Sequence, residues 1–453
     1  MGKEEMTICA LATAPGGAIG IIRISGLQTL EILSHVFSKN LTDAKPYTIY
    51  YGHIKDGSEV IDEVLVSIFR APHSYTGEES AEISCHGSRY ILNKVLNLLI
   101  ENGCRQANPG EFTQRAYLNG KMDLSQAEAV ADLIASSNRA THQIALSQLR
   151  GHFSSELGTL REQLLKLTSL LELELDFSDH EDLEFANRNE LYQLAKIIDN
   201  RITRLARSFE TGQAIKQGIP VAIVGKTNVG KSTLLNQLLH DDRAIVSNIH
   251  GTTRDTIEDT IDIRGITFRF IDTAGIRQTS DEVEIIGIER TYQAIDKARI
   301  VLWIIDDSPS TKEIRDITQH SENKSLIIVV NKIDKNDSLP YATISNLGLP
   351  TIRIAAKYGQ GIDELEQAIF ASANIPALTD TDIIVSNARH YNALVHAHES
   401  ILRVIEGMEQ DIPGDLLAED LRLTINHLAE ITGGQITPNE VLGNIFKNFC
   451  VGK

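Results

Sequence analysis

Residues 225–232 read GKTNVGKS and fit the pattern G-x-x-x-x-G-K-[ST] directly after the apolar run IPVAIVG (219–225). That stretch constrains the fold more tightly than any other in the chain. A buried strand must stop at Gly225, the backbone must turn where glycine permits it, and a helix must start near Lys231. The pattern predicts a loop whose backbone N–H groups wrap phosphates, with the positive end of the helix aimed at the anion. Lys231 is spaced to reach the β- and γ-phosphates and Ser232 to ligate Mg²⁺, with Asn228, Val229, Gly230 and Thr233 completing the loop.

The surrounding grammar is that of an α/β unit over residues 217–376. FRFIDTAG (268–275), ARIVLWIID (298–306) and SLIIVVNKID (325–334) read as buried strands with helical segments between them. This alternation predicts a mainly parallel sheet with helices on both faces. Residues 119–216 read as helical: Leu149, Phe153, Leu157, Leu160, Leu164, Leu167 and Leu171 form one apolar stripe at helical period. Leu191, Leu194, Ile198, Ile202, Leu205 and Phe209 form a second, joined to the first by the acidic DFSDHEDLEF (176–185). Residues 377–453 return to helix, over 384–407 and 415–431. Helices on both sides of the α/β unit predict its insertion into an all-α helical domain. Residues 1–118 read as a separate α/β domain, with strands AIGIIRIS (18–25), EVLVSIF (63–69) and AEISCH (81–86) and a helix over 88–103 ended by Gly103.

Composition narrows the setting. The length of 453 residues suggests about three domains. The four cysteines, Cys9, Cys85, Cys104 and Cys450, form no C-x-x-C pair, which argues against a zinc site or disulfide framework and fits a reducing compartment. Glu4 and Glu5 do not suit a signal peptide, and no apolar run approaches the roughly 18 residues a membrane helix needs. The expected localisation is cytoplasmic, without membrane contact. With 43 basic and 61 acidic residues the net charge is −18, the wrong sign for a protein that coats nucleic acid, so any RNA contact must be local or carried by a partner.

Further motifs select the nucleotide. In NKID, Asn331, Lys332 and Asp334 stand at a strand end, where the aspartate can accept from guanine N1–H and N2–H₂, a donor pair adenine lacks. In IAAKYGQG (354–361), Ala355, Ala356 and Lys357 form the loop expected against the base, with Ala355 where serine is common. SNIHGTTRD (247–255) supplies Ser247, Asn248, Ile249, His250, Gly251, Thr252 and Thr253, the last positioned to close on Mg²⁺ and the γ-phosphate. Asp272, Thr273, Ala274 and Gly275 form the loop that senses that phosphate. The next residue, where Ras-like enzymes carry a glutamine that orients water, is Ile276, which has no side-chain donor or acceptor.

The P-loop with Asn228, GTTRD, DTAGIR, SDEVEIIGIER (280–290) and the terminal FCVGK resemble the MnmE (TrmE) family of tRNA-modification GTPases, within the TrmE-Era-EngA-YihA-Septin-like class. GAIGIIRISG (17–26), SYTGEESAEISCHG (74–87) and NPGEFTQRAYLNGKMDLSQAEAVADLI (108–134) extend the resemblance over essentially the whole chain. Thr227, Val451 and Ala355 depart from the usual proline, isoleucine and serine, and none removes a charged or metal-binding group.

The resemblance implies a Ras-like G domain whose dimerisation around GTP and K⁺ stimulates hydrolysis. Asn228 and the backbone of Ser247, Ile249 and Thr252 would hold K⁺, Ser232 and Thr253 would hold Mg²⁺, and Glu284 would orient the attacking water. Arg254 would assist the dimer interface or switch closure. The resemblance further implies an aminomethyltransferase-like N-terminal domain that forms a homodimer and binds 5-formyltetrahydrofolate through Arg23, Glu82, Lys121 and Lys453, with Cys450 beside that site. The implied activity is addition of an aminomethyl or carboxymethylaminomethyl group at C5 of the wobble uridine of certain tRNAs. The implied partner is the FAD-containing MnmG (GidA), in a heterotetramer or larger complex. Two alternatives stand beside this one. An Era-type ribosome-assembly switch shares the G motifs, but no basic C-terminal RNA-binding module is visible. A folate-dependent transferase with a regulatory G domain would make Cys450 or a carboxylate catalytic.

Overall fold

The computed structural model describes residues 6–176, 188–240, 259–271, 284–335, 347–376, 379, 382–434, 442, 445–447, 449 and 452. The chain divides into two units, Met1–Ala135 with Ala145–Ile202 and Asn392–Lys453, and Ser136–Ile144 with Thr203–Tyr391.

In the first unit, β1 (Ile8–Leu11), β2 (Ile19–Ser25), β3 (Thr48–Asp56), β4 (Glu59–Phe69), β5 (Ser80–His86) and β6 (Arg105–Gln106) form one sheet ordered β3-β4-β5-β2-β1-β6. Neighbours run antiparallel except β1 and β6. The period-2 pattern decides the faces. Val64, Val66 and Ile68 of β4 are buried, while Leu65 between them is exposed. Helices Thr29–Val36 and Arg89–Glu101 cover the apolar face, where Leu33, Val36, Val95 and Leu99 pack with Ile22, Ile24, Ile54 and Ile83. The opposite face carries Ile49 and Tyr51 of β3 and Leu65 of β4, all exposed, with Tyr51 and Leu65 directly paired in register.

The helical part of this unit pairs His152–Asp176 with Gly414–Thr432. Phe153, Leu157, Leu160, Leu164, Leu167 and Leu171 are buried, as the stripe predicts. Leu149 is not part of it. Its helix, Arg139–Leu149, ends there, and Gly151 turns the chain at φ +83° before the next helix starts at His152. A left-handed glycine breaks the helix without breaking the spacing of apolar residues.

In the second unit, β7 (Ile219–Val224), β8 (Asp259–Ile263), β9 (Ile266–Phe270), β10 (Ile300–Ile305), β11 (Ser325–Val330) and β12 (Thr351–Arg353) are ordered β12-β11-β10-β7-β9-β8. All pairs are parallel except the β8–β9 hairpin. Both faces are covered, one by a core that includes Leu234, Ile304, Ile327 and Leu365, the other by one that includes Ile295, Val301, Trp303 and Ile328. That double burial is why the central strands read as unbroken apolar runs. The chain enters and leaves through adjacent segments. The Phe209 ring stacks on Tyr391 at 4.4 Å between centroids, and Gln213 Nε2 donates to Ser386 O at 2.8 Å. Gly212 is required there, since a Cβ would stand 2.1 Å from Val385 O.

Trp303, the chain's single tryptophan, reports on this second core. Phe268→Ala empties a fully buried site on the other face of the same sheet. It is expected to cost about 3–5 kcal/mol in denaturant unfolding followed by Trp303 fluorescence, and a loss under about 1 kcal/mol would contradict the packing described.

Candidate nucleotide-binding site

The loop after β7 is built by two glycines that nothing else could replace. Gly225 takes φ +151°, and a Cβ there would lie 2.4 Å from Ile304 O. Gly230 takes φ +103°, and a Cβ there would lie 2.2 Å from Asn331 Nδ2. Between them Asn228 is exposed in the left-handed region at φ 61°, which asparagine tolerates better than most residues. Helix Lys231–His240 starts at once, as the pattern requires. Lys231 Nζ donates to Gly225 O at 2.6 Å and Lys226 O at 2.7 Å, curling back over the loop. Burial lowers its pKa below the usual lysine value. A half-buried ammonium above a ring of backbone N–H groups fits the phosphates of a nucleotide, and the half-buried Ser232 beside it fits Mg²⁺. Val229 is buried beneath the loop and Thr233 is exposed.

Asn331, at the end of β11, is spent on protein at both ends of its amide. Nδ2 donates to Val229 O at 2.8 Å, and Oδ1 accepts from Ala356 N at 3.0 Å. The residue is 3% exposed. It therefore ties the phosphate loop to the 355–357 loop, where Ala355 and Ala356 are buried and Lys357 and the nearby Asp334 are exposed.

Two ionic struts were not anticipated from the sequence. Lys332, at φ 62°, donates to both Asn228 O and Asp306 Oδ2 at 2.6 Å. Lys226 of the phosphate loop pairs with Glu313 at 3.0 Å. Burial pushes the Glu313 carboxyl up, but bonds from Ser310 and Lys226 outweigh it and hold its pKa below the ordinary value. Ser310 and Glu313 form a capping box, a spacing that sequence does reveal. Asp306 had no such signal beyond its place at a strand end.

Glu284 opens helix Glu284–Lys297, and its side chain is outside the description. Ser247, Asn248, Ile249, His250, Gly251, Thr252, Thr253, Arg254, Asp272, Thr273, Ala274, Gly275, Cys450 and Lys453 lie outside the described residues. Of the four expected oxygen donors to K⁺, Asn228 alone is described; its exposed amide is a hard oxygen donor of the kind K⁺ accepts.

A second constellation sits on the other unit. Arg23 and Glu82 face each other on β2 and β5, and Arg23 Nη2 donates to Glu82 Oε1 at 2.7 Å. The guanidinium lies 5.6 Å from the Tyr75 ring centroid and 5.7 Å from that of Phe112, and Nη1 donates to Gly452 O at 3.3 Å. An anionic ligand on Arg23 would thus share it with Glu82. Lys121 is exposed and donates to Pro72 O at 2.9 Å. Sequence had left Tyr75 and Phe112 unmarked; they became visible only when the chain brought them against Arg23.

Comparison with known proteins bears on the whole chain. A family model described as "MnmE helical domain" matches residues 124–450, and one described as "GTP-binding protein TrmE N-terminus" matches residues 7–121. The protein called "tRNA modification GTPase MnmE" in Bacteroides fragilis is 56% identical over 466 residues, covering 99% of this chain and 100% of that protein. Proteins of the same name are 56% identical over 466 residues in Bacteroides thetaiotaomicron (99% and 100% covered) and 50% identical over 478 in Christiangramia forsetii (100% and 100%). The chain belongs to the MnmE family of tRNA modification GTPases.

Proposed function

We propose that this chain is a GTP hydrolase of tRNA modification that works with the flavoprotein MnmG at C5 of the wobble uridine, adding a folate-derived one-carbon unit as an aminomethyl or carboxymethylaminomethyl group. The observation that carries the nucleotide half of this reading is the Asn331 amide, bonded to both Val229 and Ala356. A chain needs such a strut when one ligand must touch a phosphate loop and a base loop at once. Asp334 selects guanine, and Lys231 with the loop N–H groups holds the phosphates.

Hydrolysis is assigned to Glu284, since Ile276 has nothing with which to orient water. A carboxylate can act on the water directly or through a second one. Bound Mg²⁺ supplies charge neutralisation on the phosphates, and Ser232 and Thr253 would hold it. Bound K⁺ supplies positive charge where an arginine finger otherwise does, and Asn228 with the backbone of Ser247, Ile249 and Thr252 would hold it. The Lys332 bond to Asn228 O supports this by fixing the backbone from which that amide projects. Arg254 would serve dimer contact or switch closure.

Arg23, Glu82, Lys121 and Lys453 would hold the folate, with Cys450 beside them. The proximity of Gly452 to Arg23 supports a site to which the C-terminus contributes. The exposed Ile49, Tyr51 and Leu65 on neighbouring strands support homodimerisation through the N-terminal sheet. With a net charge of −18, most phosphate contacts to tRNA fall to the partner.

Nucleoside analysis of tRNA from a deletion strain is expected to show loss of the wobble C5 modification, restored by the wild-type gene; intact modification would sink the proposal. Glu284→Ala is expected to retain GTP affinity in K⁺ buffer while slowing turnover about tenfold or more. Unchanged turnover would remove Glu284 from the mechanism.

A further inference from the structure

A cleft of about 710 Å³ opens beside the turn of the β8–β9 hairpin, and each described residue that lines it belongs to the second unit. Gly265 apart, those residues are polar or charged, and Arg139, His142 and Arg264 stand there against one acid, Asp262. Among the described residues no aliphatic side chain and no phenyl, phenol or indole ring lines the cleft. Small-molecule sites are mostly apolar. This lining suits a ligand that presents negative charge and keeps its water.

The turn brings the two arginines together. Ile263 pairs with Ile266, so Arg264 and Gly265 alone close the hairpin, at φ 56° and 83°. A two-residue turn with positive φ at both positions ordinarily takes asparagine before glycine. Arginine is uncommon in that conformation. Gly265 lies against the next cation. Ala140 N donates to Gly265 O at 3.0 Å, and a Cβ on Gly265 would stand 2.8 Å from Arg139 Cβ. Arg139 and His142, three residues apart on a helix, share one face of it. Asn138 Oδ1 already caps that helix by accepting from Thr141 N at 2.8 Å, so the positive charge of the cleft is that of side chains.

Those side chains are exposed. Among the described residues neither Arg139 nor Arg264 forms an ion pair with an acid. Asp262 Oδ1 accepts from Gly265 N at 2.7 Å and so serves the turn. The Arg264 guanidinium lies 5.3 Å from the Phe370 ring centroid. Stacking holds its plane and leaves its edge N–H groups for a ligand.

We propose that this cleft holds the phosphodiester backbone of an RNA, with Arg139 and Arg264 on two phosphates, as a local RNA contact of an otherwise acidic chain. The proposal rests on the reading that this chain acts on tRNA. A guanidinium grips a phosphate through two parallel bonds. With no ring for a base to stack on, the contact is to backbone and is blind to sequence.

Binding of fluorescently labelled tRNA to the full chain, titrated across KCl concentrations, tests this. The slope of log affinity against log salt is expected to shrink by about 1 in Arg139→Gln and in Arg264→Asn, and by about 2 in the double variant. Each single variant is expected to weaken binding about fivefold or more at low salt. Arg264→Asn supplies the residue the turn prefers, which keeps the hairpin folded. Arg264→Lys is expected to retain the slope. Millimolar inorganic phosphate at constant ionic strength is expected to leave the tRNA bound; displacement would identify a small-anion site and overturn the proposal. A wild-type chain that binds no tRNA, or a double variant with wild-type affinity and slope, would overturn it as well. Failure of the tRNA reading itself shows separately, as intact wobble modification in the deletion strain.

Discussion

One buried amide sets the geometry on which the rest depends. Asn331 holds the carbonyl of Val229 with one end and the N–H of Ala356 with the other, so the 225–232 loop and the 355–357 loop share a single fixed reference. The phosphate loop before Lys231 is irregular, and the second loop carries only the short 3-10 turn Ala356–Tyr358. The cost of losing the amide is correspondingly high, because it would orphan a buried acceptor and a buried donor together, each worth about 1–3 kcal/mol. Gly230 belongs to the same interaction. Its missing Cβ is the space the Asn331 side chain fills.

Around that amide the lysines are kept in place by the protein's own acids. Lys332 is held by Asp306 and Lys226 by Glu313, both from the segment that follows β10. Lys231 is different, since its bonds are to the carbonyls of its own loop. Among the described residues no carboxylate pairs with Lys231, the cation proposed for the phosphates. A net charge of −18 is the wrong sign for a surface that coats RNA.

Much of this is legible in the sequence. The P-loop, its flanking strand and helix, and the parallel sheet follow from short motifs whose backbone demands are strict. What was not legible depended on contacts between distant residues. Asn331 reads as part of a guanine motif, yet its amide spends itself on Val229 and Ala356, which only the sheet order brings within reach. Arg23 and Glu82 read as two ligand contacts, yet strand register pairs them with each other. Leu149 fitted a helical stripe because the turn at Gly151 preserves apolar spacing while ending the helix. β8 and β12 escaped because strands of 5 and 3 residues carry too little periodicity.

The central claim is that Asn331 makes one guanine nucleotide site out of two loops. Equilibrium binding of fluorescent GDP and ADP to the wild-type chain and to Asn331→Ala measures it directly. The wild type is expected to bind GDP and to reject ADP by about a thousandfold or more. Asn331→Ala is expected to lose at least about thirtyfold in GDP affinity, because binding must then order both loops. Equal affinity for the two nucleotides, or GDP binding untouched by Asn331→Ala, would contradict the account.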